Sequence, residues 1–176
     1  MDIYFLELNS YKKEILKIKS EIGKTNLKNV DNLTHFSIGL SNRTNLMLVG
    51  LCSLVEAFLY EIALKEEEKH NFKIDNIKGN GIRRLKTYLS RTNRINFGNI
   101  KEWNQFINIY ELRNALVHSY GGMIDSSFIK KVMSSMKRLQ IYDALIADRR
   151  IRLNPDILLG FIGIIESLLV EIRCQI

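Results

Sequence analysis

Residues 46–69 read LMLVGLCSLVEAFLYEIALKEEEK. The stretch has no proline, is apolar on nearly every side in its first half, and ends in a charged run. That pattern predicts a long helix from about Asn42 to Glu68, buried at its start and solvated at its end. A helix of this kind needs others around it, so an all-α bundle is the expected frame.

The flanking sequence supplies those partners. Ile3, Leu6, Tyr11, Ile15, Ile18 and Ile22 recur at helical intervals among lysines and glutamates, predicting an amphipathic helix over residues 2–22. Residues 23–41 read as looser chain. Lys78-Gly79-Asn80-Gly81 signals a turn, and Ile82, Leu85 and Leu89 after it predict a short basic helix that breaks at 96–99. From Ile100 the apolar positions Trp103, Phe106, Ile107, Tyr110, Leu112 and Leu116 build a helix expected to stop at Gly121-Gly122. Phe128, Ile129, Val132, Met133 and Met136 give an apolar face to a helix over 126–139. Alternation of Ile151 and Leu153 with Arg150 and Arg152 suggests a small hairpin between 144 and 153, turning near Asp148-Arg149. Asn154 as N-cap, Pro155 at the first helical position and Asp156 in the first turn then start a last helix that runs to about Cys174. The expected fold is an up-and-down bundle of about five helices, with one small hairpin before the last, in a single domain over 1–176.

The composition bounds the partners. A formal charge of +7 favours a polyanion. Between Asn76 and Lys101 lie Lys78, Arg83, Arg84, Lys86, Arg91, Arg94 and Lys101 with no acidic residue, so this segment is either an RNA-contacting patch or a solvated helix face. Cys52 and Cys174 lie far apart and read as reduced thiols. The apolar runs 46–55 and 157–165 each end at a glutamate, too short to span a bilayer, and the first residues lack the pattern of a signal peptide. A cytoplasmic protein without a membrane partner is expected. His35 and His70 show no metal-ligand spacing, and no cofactor is expected.

Chemistry concentrates at the end of the fourth helix, Glu111-Leu112-Arg113-Asn114-Ala115-Leu116-Val117-His118-Ser119-Tyr120. On an ideal helix Glu111, Asn114 and His118 fall within a stripe about 60° wide, and Arg113 lies about 140° from His118. The long arginine side chain can still bend toward the same groove. Histidine takes or gives a proton near neutral pH, as attack of an RNA 2′-hydroxyl on its phosphodiester requires, and arginine stabilises the phosphoryl charge. No metal is needed for that route. One histidine serves poorly as both base and acid, so a second copy across a two-fold axis would complete it. The plain alternative is a helix end with His118 favoured by the macrodipole and Arg113 paired on the surface with Glu111 or Glu102.

Leu112 to Tyr120 resembles the signature of the HEPN superfamily (higher eukaryotes and prokaryotes nucleotide-binding domain), in which Arg and a polar neighbour precede His by four to six residues. The family's Arg falls on Arg113, its polar neighbour on Asn114 and its His on His118. Leu54 to Leu59, where Glu56 interrupts an apolar helix, is similar to the family's second helix, and the resemblance spans about residues 42–176. It implies a metal-independent endoribonuclease, a homodimer with both Arg113 and His118 pairs at a shared cleft, and a toxin or antiphage-defence setting with an antitoxin or other defence partner. Tyr120 matches a His-x-Tyr extension of one toxin subgroup; phosphate contact, nucleotide modification and packing stay open for it. Glu56, costly to bury unpaired, is expected to bond Arg113 or His118, or else a local group such as Tyr60. A non-catalytic nucleotide, RNA or protein-binding module is the competing expectation, and a helix end that serves only as a dimer contact is a third.

Overall fold

A computed structural model describes residues 2–24, 30–119, 123–144 and 149–176. Six α-helices form among them: α1 (Ile3–Lys24), α2 (Val30–Glu67), α3 (Gly81–Arg91), α4 (Trp103–Val117), α5 (Ser126–Leu139) and α6 (Pro155–Arg173). No strand occurs among the described residues; one isolated antiparallel bridge pairs Met123 with Arg150.

The apolar periodicities set the packing. Along α2, Leu48, Leu51, Cys52, Leu54, Val55, Phe58, Leu59, Ile62 and Ala63 are buried in one continuous core. Burial on so many sides needs neighbours on several sides, and α1, α3, α4 and α6 all pack against α2. By length and composition Leu33–Glu67 would also cross a membrane. The bundle's own packing already accounts for much of that apolar surface.

Pair contacts fix the directions. Tyr4 meets Phe58 and Glu61 while Arg43 pairs with Glu14 and Glu21, so α1 and α2 run antiparallel. Gly50 permits their close approach, because a β-carbon there would overlap the Tyr11 ring. Asp2 pairs with Arg173 and Lys19 with Asp156, making α6 antiparallel to α1. Glu66 lies beside Arg94, just before α4, and Asn45 shares a groove with Leu116, so α4 runs antiparallel to α2. The core is thus up-and-down, with α3 on α2 and α5 on α4.

Two expectations need correction. Residues 30–41 are helical, extending α2 to 38 residues; Val30, Leu33, Phe36 and Leu40 recur there near helical spacing, and the Arg43 ion pairs to α1 hold the adjoining turn. Helix α4 ends at Val117 with His118 as C-cap, ahead of Gly121-Gly122, which lie outside the described residues. The segment expected to form a hairpin is described only in part, and its second arm docks on α2. Ile151 and Leu153 are buried as their alternation implied, but the carbonyls of Leu153 and Ile151 accept from the Thr44 hydroxyl (2.8 Å) and Asn45 Nδ2 (3.1 Å) of α2. Ile124 N–H donates to Arg149 O, and Arg152 N–H donates to Ala144 O across the segment. Of the turn expected near Asp148-Arg149, Arg149 has a left-handed φ of +60, and Asp148 lies outside the described residues.

Elsewhere the local signals agree with the fold. Asn154 Oδ1 accepts from Ile157 N at 2.8 Å and Pro155 opens α6. Helix α5 has the expected bounds, capped by Asp125, although Met133 points to solvent rather than the core.

Candidate active site

The C-terminal half of α4 forms one wall of a cleft of about 420 Å³, lined also by Glu56 of α2, Asn80, Gly81 and Arg83 at the start of α3, and Phe128 and Lys131 of α5. Helix α4 anchors itself through Phe106, Ile109, Leu112 and Ala115, all buried. The spacing that buries those four leaves Tyr110, Glu111, Arg113, Asn114 and His118 to line the cleft.

Arg113 and His118 therefore reach the same cavity. The Arg113 Nη1 donates to Asn114 Oδ1 at 3.1 Å, and its guanidinium lies 5.4 Å from the centroid of the Tyr110 ring. Its Nε is buried with no hydrogen-bond partner among the described residues. Among those residues no carboxylate stands within 4 Å of Arg113, although it lies inside the cleft with Glu56 and Glu111. Glu111 is committed to Arg83, at 2.5 Å. Neither surface partner that the plain alternative offers Arg113, Glu111 or Glu102, holds it. An arginine with unused donors in a concave site is suited to a phosphate.

His118 is exposed and stacks at 6.1 Å and 13° on Phe128, while its backbone N–H still closes the last helical bond to Asn114 O. The ring therefore has a fixed wall on one side and solvent on the other. Ser119 faces a different groove, and its hydroxyl donates to Leu116 O. Tyr120 lies outside the described residues.

Glu56 does not pair directly with Arg113, nor is Tyr60, which is exposed, its partner. Its Oε2 accepts from the Tyr110 hydroxyl at 3.2 Å. Burial, then the Glu56 charge, push the Tyr110 hydroxyl above its ordinary pKa, so it stays a donor at neutral pH. Cys52, beneath this layer, is pushed up to about 12 by burial; Arg113 acts against that shift and Glu56 with it. A thiol so protonated is no nucleophile.

The basic segment disperses. Arg83 alone among its cations lines the cleft. Arg84 pairs with Asp75, Arg94 with Glu66, Lys86 lies over the Trp103 ring and Arg91 over Phe72, while Lys78 and Lys101 are exposed. Sequence reasoning missed Tyr110, Asn80, Gly81, Phe128 and Lys131. The first was within reach, since Tyr110 precedes Arg113 by three residues and shares its helix face. The others depend on how α3 and α5 dock. No protein-family model, no curated protein and no solved structure matches this chain.

Proposed function

We propose that the chain is a HEPN-type, metal-independent endoribonuclease acting in the cytoplasm, in a toxin or antiphage-defence setting with a cognate antitoxin or defence partner. The observation that carries the reading is Arg113, a guanidinium with no carboxylate partner among the described residues, facing the same cleft as His118. In the reaction, the substrate's 2′-hydroxyl loses its proton to a base and its oxygen bonds the adjacent phosphorus. The 5′-oxygen leaves with a proton from an acid, giving a 2′,3′-cyclic phosphate and a 5′-hydroxyl. Arg113 stabilises the phosphoryl oxygens, Asn114 steadies Arg113, and His118 exchanges the proton.

A second acid or base is needed near the same phosphate. Glu56 is already engaged as the acceptor of the Tyr110 hydroxyl. A second copy supplying its own His118 across a two-fold axis completes the pair, which makes a homodimer part of the proposal. Lys131 lines the cleft and suits a phosphate next to the cleaved one, while Arg83 is held by Glu111.

The test is incubation of the full chain with a structured RNA in excess EDTA. Cleavage leaving cyclic phosphate ends, lost in His118→Ala with an unchanged melting curve, is expected. Tight binding without cleavage would instead favour a binding module, and undiminished cleavage by His118→Ala would overturn the assignment.

A further inference from the structure

We infer that Tyr110 is the positioning residue for Arg113, and that Glu56 acts on Arg113 only by pinning the Tyr110 hydroxyl. The inference concerns the same cleft and, in its catalytic arm alone, rests on the ribonuclease reading.

The Tyr110 side chain is held at its far end from two elements. Glu56 Oε2 of α2 accepts its hydroxyl proton at 3.2 Å, and Gly81 at the start of α3 stands close against the hydroxyl oxygen. Tyr110 is buried, 8% exposed, so its ring has little freedom to swing. The face of that ring lies 5.4 Å from the Arg113 guanidinium carbon, within cation–π range. Arg113 Nε is buried beside it without an acceptor among the described residues, while Nη1 reaches forward to Asn114. The guanidinium is therefore placed by an aromatic platform and one amide oxygen, leaving its charge unneutralised by any close carboxylate among those residues. A direct Glu56 ion pair would have neutralised it. Interposing a phenol transmits position without cancelling the charge that an anionic substrate needs.

Gly81 makes the arrangement possible. It has φ +56, and a β-carbon there would stand 2.9 Å from the Tyr110 hydroxyl oxygen and 3.0 Å from Glu56 Oε1. Only glycine lets the start of α3 close over the pair without displacing it.

The experiment follows the side-chain Nε–H signals of the ¹⁵N-labelled full chain, with Arg113 assigned by its loss in Arg113→Lys. In the wild type the Arg113 Nε–H is expected to exchange slowly, because it is buried. Tyr110→Phe and Glu56→Ala are each expected to speed that exchange several-fold, and their double variant no further. Glu56→Gln, which still accepts from the phenol, is expected to leave it unchanged. Additive effects in the double variant, or acceleration by Glu56→Gln equal to that of Glu56→Ala, would overturn the inference. If the wild type cleaves RNA, Tyr110→Phe lowers kcat several-fold with little change in KM, and adds nothing in an Arg113→Ala background; an equal loss in that background would mark Tyr110 as merely structural. If the wild type does not cleave, the ribonuclease reading fails while the exchange measurement still decides the role of Tyr110.

Discussion

Arg83 Nη2 and Glu111 Oε1 meet at 2.5 Å between the first turns of α3 and the middle of α4. Glu111 is the nearest acid in sequence to Arg113, and its engagement by Arg83 is what leaves Arg113 without a counter-charge. Replacing Glu111 with Gln should free Arg83 and raise RNA affinity by about fivefold at low salt, since one unit charge near a phosphate is worth about 1 kcal/mol in water. The pair is exposed on the arginine side, so stability should fall by no more than about 1 kcal/mol. Fluorescence anisotropy with a labelled RNA measures the first effect; weaker binding would contradict this role for Glu111.

Lys131 enters the cleft from α5, beside Phe128 and across from Arg83. Lys131→Ala is expected to weaken binding of a non-cleavable 2′-O-methyl oligonucleotide and to lower the slope of log affinity against log salt by about 0.7, the value for one phosphate of a single strand. An unchanged slope would place Lys131 outside the RNA path.

Glu66, only 5% exposed, sits among Lys69 at 2.9 Å, Arg94 at 3.2 Å and His70 at 3.7 Å. The Lys69 hydrogen bond first, then the nearby positive charges, hold its carboxyl below the ordinary glutamate value, against the effect of burial. A lowered native pKa stabilises the fold above the unfolded value of about 4.3 and loses that contribution as the pH falls through the native value. Melting temperature should drop with acidification over that window, and Glu66→Gln should flatten the drop while lowering stability at neutral pH. A Glu66→Gln profile parallel to the wild type would rule this linkage out.

Cys52 is fully buried and Cys174 exposed. A thiol reagent such as DTNB should titrate one cysteine in the native protein and the second only on unfolding, because burial both protonates Cys52 and blocks access. Rapid reaction of both in the folded chain would show that the core around α2 opens readily.

Gly50→Ala places a methyl group against the Tyr11 ring where α1 crosses α2. Overpacking of this kind costs about 1–3 kcal/mol. A drop in melting temperature is expected, and an unaltered one would mean that Tyr11 swings out at little cost.

Local chemistry written within a few residues is legible in the sequence itself. Asn154-Pro155-Asp156 announces the start of α6, the i, i+3 and i+7 spacing of Ile82, Leu85 and Leu89 gives α3, and Arg113, Asn114 and His118 fall on the cleft side of α4 as their spacing allows. Each of these depends on hydrogen bonds and helix periodicity between near neighbours in the chain.

Tertiary structure decided the rest, because those outcomes depend on groups far apart in the chain. Residues 30–41 join α2, the carbonyls of Ile151 and Leu153 bond to Asn45 and Thr44 of α2, and Glu56 finds Tyr110 rather than Arg113. The same docking scattered the basic segment over several faces and brought Lys131 and Phe128 to the cleft. Sequence spacing placed the arginine and the histidine on one helix; only the packing of α2, α3 and α5 around that helix determined which charges reach the arginine and which are kept away from it.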